Sequence, residues 1–222
     1  MVEIVPMRLS TCNPKRILSF FFFVAAVLYL GCASFLAHGA VTLNTLAQAA
    51  APSIAASSIE RLPAAGVLEV AFSPNRGAEL LVLKVIDTSR STIHLMAYSF
   101  TSANITRSLL GAIKRGVKVY IVVDEKHNFG DSASRHARVA LSTLSSAGAH
   151  VRVISAYPIH HDKVIVADGR HTQIGSFNYS AAAANRNSEN VLVNWDNIPL
   201  ATSYTKHFEK NWSLGKKFNP GY

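Results

Sequence analysis

At 222 residues the chain is long enough to bury a sizeable core, and a single domain is the natural expectation. Its 22 Lys and Arg outnumber 13 Asp and Glu for a formal charge of +9, a balance that suits a polyanion such as nucleic acid or an anionic membrane surface. Both cysteines, Cys12 and Cys32, fall before residue 50, so a domain beginning there has neither a disulfide nor a cysteine-ligated zinc.

The first 49 residues read as a targeting segment. Arg8, Lys15 and Arg16 precede an uncharged run from Ile17 to Ala37, 21 residues that suffice to cross a bilayer as a helix. Ala47-Gln48-Ala49 supplies the small-x-small pattern of a cleavage site, so residues 1–49 are either a signal peptide or an uncleaved N-terminal membrane anchor. Either reading exports the remainder to the periplasm or beyond, and the anchor would associate the protein with a membrane through residues 17–37. Residues 50–64, small, polar and proline-containing, read as a linker to a domain over 65–222. Without residues 1–49, which hold those three basic residues and Glu3, 19 basic residues face 12 acidic ones.

Within the domain, Val67–Phe72 predicts a strand closed by Ser73-Pro74-Asn75-Arg76-Gly77. Ala78–Thr88 has apolar residues at helical spacing, and Thr92–Tyr98 alternates Ile93, Leu95 and Ala97 as a strand does. Asn104–Arg115 is amphipathic and is stopped by Gly116, after which the β-branched Val117–Val123 predicts a buried strand. Ser132–Ala147 predicts a helix, and His150–Ser155, Lys163–Ala167, Thr172–Gly175 and Asn190–Asn194 predict strands. Pro199–Trp212 predicts a last helix. This alternation implies an α/β fold: a mixed, largely parallel central sheet with helices on both faces, its late, closely linked strands antiparallel. No internal repeat is visible.

The chemistry concentrates in one stretch, HHDKVIVADGRHTQIGSFNYS, from His160. His161 and Lys163 are two apart at the start of a strand and emerge on one face, whereas His160 projects to the other. The following strand delivers Gly175-Ser176-Phe177-Asn178, with Ser176 and Asn178 sharing a face, Gly175 leaving the backbone room and Phe177 free to enter the core. If the two segments pair, an imidazole, an ammonium, a hydroxyl and a carboxamide converge. That set suits a phosphodiester. The lysine neutralises a nonbridging oxygen, the hydroxyl and amide donate to oxygens that gain charge, and imidazole attacks phosphorus or moves protons near neutral pH. Asp168 is the only carboxylate in the motif stretch after Lys163, too few oxygen ligands for a hard divalent cation.

His161-x-Lys163-x4-Asp168 followed by Gly175-Ser176-x-Asn178 resembles the HKD motif of the phospholipase D superfamily. Ala97-Tyr98-Ser99-Phe100-Thr101, the strand Val119–Asp124 and Ser188-Glu189-Asn190 extend the resemblance to the compact, single-motif bacterial endonucleases of the Nuc type, over roughly Val67 to Trp212. The resemblance implies a phospholipase D-like fold and a metal-independent hydrolase without cofactors. His161, Lys163, Asp168 and Glu189 would form its catalytic set. His161 would be the nucleophile that becomes a phosphohistidine. Lys163, Ser176 and Asn178 would hold phosphate, Glu189 would orient an imidazole, and Asp168 would brace the motif turn. The mechanism wants two histidines at one phosphate and the chain has one motif, so a homodimer sharing the site is expected. The substrate implied is DNA or RNA, cut without sequence preference. Phospholipid hydrolysis is the alternative, and a non-catalytic exported DNA-binding module is a third reading.

Other residues have plainer readings. His160 reads as a surface residue or one lying behind the site, and His94 as part of the core or a sheet face. Lys126, His127 and Asn128 follow a strand where α/β sheets carry ligand loops, and read equally as solvated or as touching substrate. Lys114, Arg115 and Lys118 read as a solvated helix end, and Trp195 and Trp212 as packing.

Overall fold

A computed structural model describes residues 59–220. The expected signal peptide or anchor over 1–49, including the apolar run 17–37, and most of the linker lie outside the described residues. In chain order the elements are β1 (Val67–Ser73), α1 (Ala78–Thr88), β2 (Thr92–Ala97), α2 (Ala103–Lys114), β3 (Lys118–Asp124), α3 (Glu125–Phe129) and α4 (Arg135–Ser146). There follow β4 (His150–Ile154), β5 (Lys163–Ala167), β6 (His171–Gly175), α5 (Ala181–Asn185), β7 (Glu189–Trp195), α6 (Ile198–Leu214) and the two-residue β8 (Lys216–Lys217).

All eight strands join one sheet in the order β1-β7-β6-β5-β2-β3-β4-β8. The sheet is mixed and flanked by helices, as expected, but its parallel part is smaller than the sequence pattern implied. Only β2–β3 and β3–β4 pair in parallel, because only there does a helix (α2 or α4) supply the crossover. The other pairings, β1–β7, β7–β6, β6–β5, β5–β2 and β4–β8, are antiparallel.

Strand alternation divides the core between the two faces of the sheet. Ile93, Leu95 and Ala97 of β2, with Val119, Ile121 and Val123 of β3, pack beneath α1, α2 and α4, and all but Val119 are wholly buried. Met96, Val122, Val164 and Val166 point the other way, beneath Ala201 and Phe208 of α6. Each large aliphatic side chain so buried contributes about 1.5–3 kcal/mol of transfer free energy. Local signals set the helix ends. Ser102 Oγ accepts from Ile105 N at 3.3 Å to start α2, and Gly116, at φ 88°, follows its end. Ser134 caps α4 by accepting from His136 N at 3.2 Å, so the helix expected from Ser132 begins at Arg135.

The residues with plain readings sort clearly. His94 lies flat on Phe208, ring centroids 4.5 Å apart, in the face under α6. Burial pushes its imidazole below the ordinary histidine range, with the charge of Glu209 opposing. Trp212 packs on Tyr120 and Phe208, while Trp195 donates its Nε1–H to Glu69 at 2.8 Å. Arg115 turns back to donate to the Ile86 carbonyl at 2.9 Å.

Candidate active site

The β2 and β3 strands end at Ala97 and Asp124, and β5 runs against β2, so Lys163 begins β5 directly opposite Ala97. Antiparallel β6 ends at the same margin with Gly175, beside the start of β7. One margin of the sheet therefore collects the start of β5, the end of β6 and the start of β7, which is where open α/β sheets build ligand sites. A cleft there is lined by His161, Lys163, Gly175, Ser176, Asn178, Glu189 and Asn190. Five of the six residues expected to carry chemistry meet in it.

His161 and His160 part company as strand alternation requires. His161 is exposed, its ring against Tyr98 at 4.8 Å between centroids. His160 is not at the surface: its side chain is 2 % exposed, the correction to one of its two readings. Its amide donates to Asp124 Oδ2 at 2.8 Å, and its Nδ1 lies 3.4 Å from Asp162 Oδ2. That same oxygen is 3.1 Å from His207 Nε2 on α6. Burial lowers the His160 pKa, against the opposing charges of Asp162 and Asp124, so the ring is held towards its neutral form. It is a wedge behind the strand that presents its neighbour.

Lys163 is 6 % exposed, and its Nζ donates to the His161 carbonyl at 2.9 Å. It also sits 5.4 Å from the centre of the Tyr98 ring. Burial lowers its pKa from the ordinary lysine value, while the charges of Asp162 and Glu189 pull it back. The ammonium is thus partly desolvated at the cleft wall, where its attraction for an anion is least screened.

Gly175 explains how β6 and β7 approach so closely. Its φ is 150°, and a Cβ there would stand 2.2 Å from the Asn190 carbonyl oxygen. Only glycine fits. Ser176 N then donates to that same oxygen at 3.1 Å, while Ser176 Oγ donates to Glu189 Oε2 at 2.6 Å and accepts from Asn190 N at 3.1 Å. Phe177 is wholly buried and anchors the segment, as its alternation predicts. Asn178 turns back to the cleft, its Oδ1 buried with no hydrogen-bond partner among the described residues.

Glu189 is in the cleft, with its carboxylate engaged by Ser176 and by Asn187 Nδ2 at 3.0 Å rather than by an imidazole of its own chain. Asp168 is not brought to the cleft at all. It closes the opposite end of β5, five residues or roughly 16 Å from Lys163 at the usual strand rise. Its carboxylate accepts from the amides of Arg90 (2.9 Å), Ser91 (2.7 Å) and Thr92 (3.0 Å) and from the Ser91 hydroxyl (2.9 Å). It therefore ties the β5–β6 turn to the start of β2, and stands apart from the reacting groups with which the motif grouped it. Among the described residues, no group of three or more His, Cys, Asp or Glu is arranged to hold a metal ion.

Residues 82–212 match the family described as "Cardiolipin synthase, PLD-like domain". The chain belongs to the phospholipase D family. As a member of that family it is a phosphodiesterase, a hydrolase. This phospholipase D-like chain is similar to Nuc of Salmonella typhimurium, a phospholipase D family member. The two are 39% identical at a TM-score of 0.66, with 69% of this chain and 98% of that one covered. It is also 36% identical over 148 residues to a phospholipase D of Rickettsia bellii, covering 67% of this chain and 68% of that protein. A mitochondrial cardiolipin hydrolase of Xenopus laevis is 29% identical over 132 residues, covering 60% of this chain and 59% of that protein.

Sequence reasoning overlooked three contributors to this phospholipase D-like site. Asn190 offers a carbonyl to Ser176 and a clash to any residue but glycine at 175; its place directly after Glu189 was the available signal. Asp162 lies inside the motif, at a position the spacing leaves open. His207 reaches it from 45 positions away, with nothing local to mark the pairing.

Proposed function

We propose that the protein is a sequence-nonspecific endonuclease that hydrolyses DNA, without a metal, through a phosphohistidine in a site completed by a second copy of the chain. The observation that carries the reading is the cleft itself: the exposed His161 imidazole beside the Lys163 ammonium, the Ser176 hydroxyl and the Asn178 amide. The motif's resemblance to the Nuc-type endonucleases, and the excess of 19 basic over 12 acidic residues after residue 49, support nucleic acid as substrate.

In this scheme an unprotonated nitrogen of His161 attacks phosphorus, forming an N–P bond as the bond to the leaving oxygen breaks. The protonated His161 of the second copy gives its proton to that oxygen. It then takes a proton from water, whose oxygen attacks the phosphohistidine and frees the first imidazole. Lys163 neutralises a nonbridging oxygen throughout, the Asn178 amide meets the charge that grows on phosphorus oxygens, and the Ser176 hydroxyl does so on turning its single proton from Glu189. Glu189, already held by Ser176 and Asn187, would use a remaining carboxylate lone pair to accept from an imidazole N–H at the meeting of two copies, fixing that ring's tautomer and supporting its cation. A second copy also has a surface to meet. Leu68, Val70 and Phe72 of edge strand β1 are 59%, 60% and 42% exposed, and Phe72 is paired with Asn190 of the cleft.

The test is cleavage of plasmid DNA by the intact protein in chelator, with His161→Ala as control and phosphorylated histidine trapped with a slow substrate. Absence of cleavage by wild type, or full activity in the variant, removes the reading. A phospholipid substrate is the second reading, favoured by the names of the Rickettsia and Xenopus relatives. Headgroup release from phosphatidylcholine and cardiolipin vesicles, run beside the DNA assay, separates the two. Export rests on residues 1–49, and N-terminal sequencing of the protein recovered from cells tests whether they are removed.

A further inference from the structure

Tyr98 also lines a second depression of about 440 Å3, together with Lys126, His127, Ser132 and Ile159 among others. Three rings form a run that joins it to the cleft. His161 meets Tyr98 at 4.8 Å between centroids, and Tyr98 meets His127 at 4.0 Å. The ring planes are inclined by 54° and 32°, so the run is a faceted aromatic wall with room for a base against its outer facet. His127 is exposed, so its outer ring face is free to take another ring, and Ile159, 55% exposed, offers an apolar wall. Lys126, also exposed, brings a cation to the same rim.

The platform is held rigidly from below. Asn128 is 1% exposed; its Oδ1 accepts from Phe100 N at 3.0 Å, and its Nδ2 donates to the Tyr98 carbonyl at 2.7 Å and the Asp124 carbonyl at 2.8 Å. Asp124 Oδ1 in turn accepts from His127 N at 2.7 Å. One short helix, α3, thereby fixes both rings relative to the strand ends that carry the cleft, so a ligand meets a surface needing no rearrangement.

We infer that this depression is a nucleoside subsite, taking the base of the nucleotide beside the phosphate at His161 by stacking on His127 and Tyr98. The inference rests on the nucleic-acid reading of the cleft and adds to it that the adjoining nucleotide is unstacked from its neighbours. A single-stranded or locally opened strand is then the preferred form, since a paired base cannot reach the platform. The side chains favour no particular base, in keeping with cutting that ignores sequence: every base has a ring face, and the platform supplies ring faces.

The experiment uses the intact protein and three small diesters: the dinucleotide TpT, and two versions in which the 5′ or the 3′ nucleoside is replaced by a tetrahydrofuran abasic unit. Wild type should cleave TpT about tenfold better, in kcat/KM, than one of the two abasic diesters, the usual scale of a lost aromatic stack. His127→Ala should erase that preference, and His127→Phe, which keeps the ring and loses the imidazole, should restore it. Equal cleavage of all three diesters by wild type overturns the subsite and leaves the nuclease reading standing. So does a preference that survives in His127→Ala, or one that His127→Phe fails to restore. Failure of wild type to cleave any of them removes the nucleic-acid reading and the subsite together.

Discussion

Asp168 Oδ1 accepts both the amide and the hydroxyl of Ser91, at 2.7 and 2.9 Å, between residues 77 positions apart. The bond pair, with the Arg90 and Thr92 amides, locks the β5–β6 turn to β2, and therefore sets the register of the strand that begins with Lys163. Burial raises the Asp168 pKa, but the amides of Thr92, Ser91 and Arg90 and the Ser91 hydroxyl outweigh it, leaving the carboxyl below its ordinary value. A carboxyl lowered in the folded state stabilises fully above its unfolded pKa of about 3.9, and the contribution fades as pH falls through the folded value. Asp168→Ala should lower unfolding free energy by about 2 kcal/mol near neutral pH, after allowance for solvent screening. Urea midpoints of variant and wild type should draw together as pH falls from the unfolded carboxyl value through the lower folded one.

Gly175→Ala places a methyl 2.2 Å from a backbone oxygen at a φ of 150° that side chains rarely adopt. The β6–β7 contact must open. A loss of roughly 3 kcal/mol or more is expected, backbone strain supplying about 1–3 kcal/mol and the clash adding to it. Because Ser176 and Glu189 meet across that contact, activity should fall with stability. Thermal unfolding and turnover measured together check this.

Lys163 gives a prediction of opposite sign. Burial lowers its pKa, with Asp162 and Glu189 opposing, so the unfolded chain binds the proton more tightly and charging Lys163 works against folding. Stability should rise with pH between the lowered folded value and about 10.4, the unfolded one. Lys163→Met should therefore unfold at a temperature no lower than wild type while losing roughly 100- to 1,000-fold in kcat, as when one charge-stabilising donor is removed. The alkaline limb of kcat/KM should begin below pH ~10.4 in wild type and move upward in Lys163→Arg, whose guanidinium stays charged.

A site shared by two copies makes a quantitative statement about mixtures. If both His161 rings are needed, co-refolding equal amounts of wild type and His161→Ala should leave roughly a quarter of the activity, since only wild-type pairs are complete. Half the activity would mean that each copy works alone.

The arrangement of the cleft was largely legible because it is local. Lys163 opens β5, His161 just precedes it, and Ser176 and Asn178 just follow β6, so extended chain continuing two strands joined by a tight turn decides which side chains share a face. The wholly buried Phe177 and the glycine at 175 follow from the same reasoning. What escaped was set by distant partners. His207 meets Asp162 from α6, and Asn128 secures Tyr98 from a short helix expected as an open loop. The parallel share of the sheet was overestimated for a related reason. Alternation of strand and helix suggests crossovers through most of the chain, yet β1 pairs with distant β7, β2 pairs with β5, and the five-residue α5 joins β6 to an antiparallel neighbour. Asp168 shows the limit of a motif: its spacing marks it beside His161 and Lys163, while five residues of extended chain carry it to the opposite margin.

The sheet order has a kinetic corollary. β5, β6 and β7 are spatial neighbours and follow one another in the chain, whereas β1 must find β7 from the far end of the domain. Closing the short loops costs less entropy than closing the long one, and every doubling of loop length adds only ~0.6 kcal/mol, so the gap is modest but consistently directed. The walls of the cleft should acquire amide protection early in refolding, with the outermost strand zipping on last. Pulse-labelled hydrogen exchange resolves that sequence, and early protection of Val70 ahead of Ile165 would reverse it.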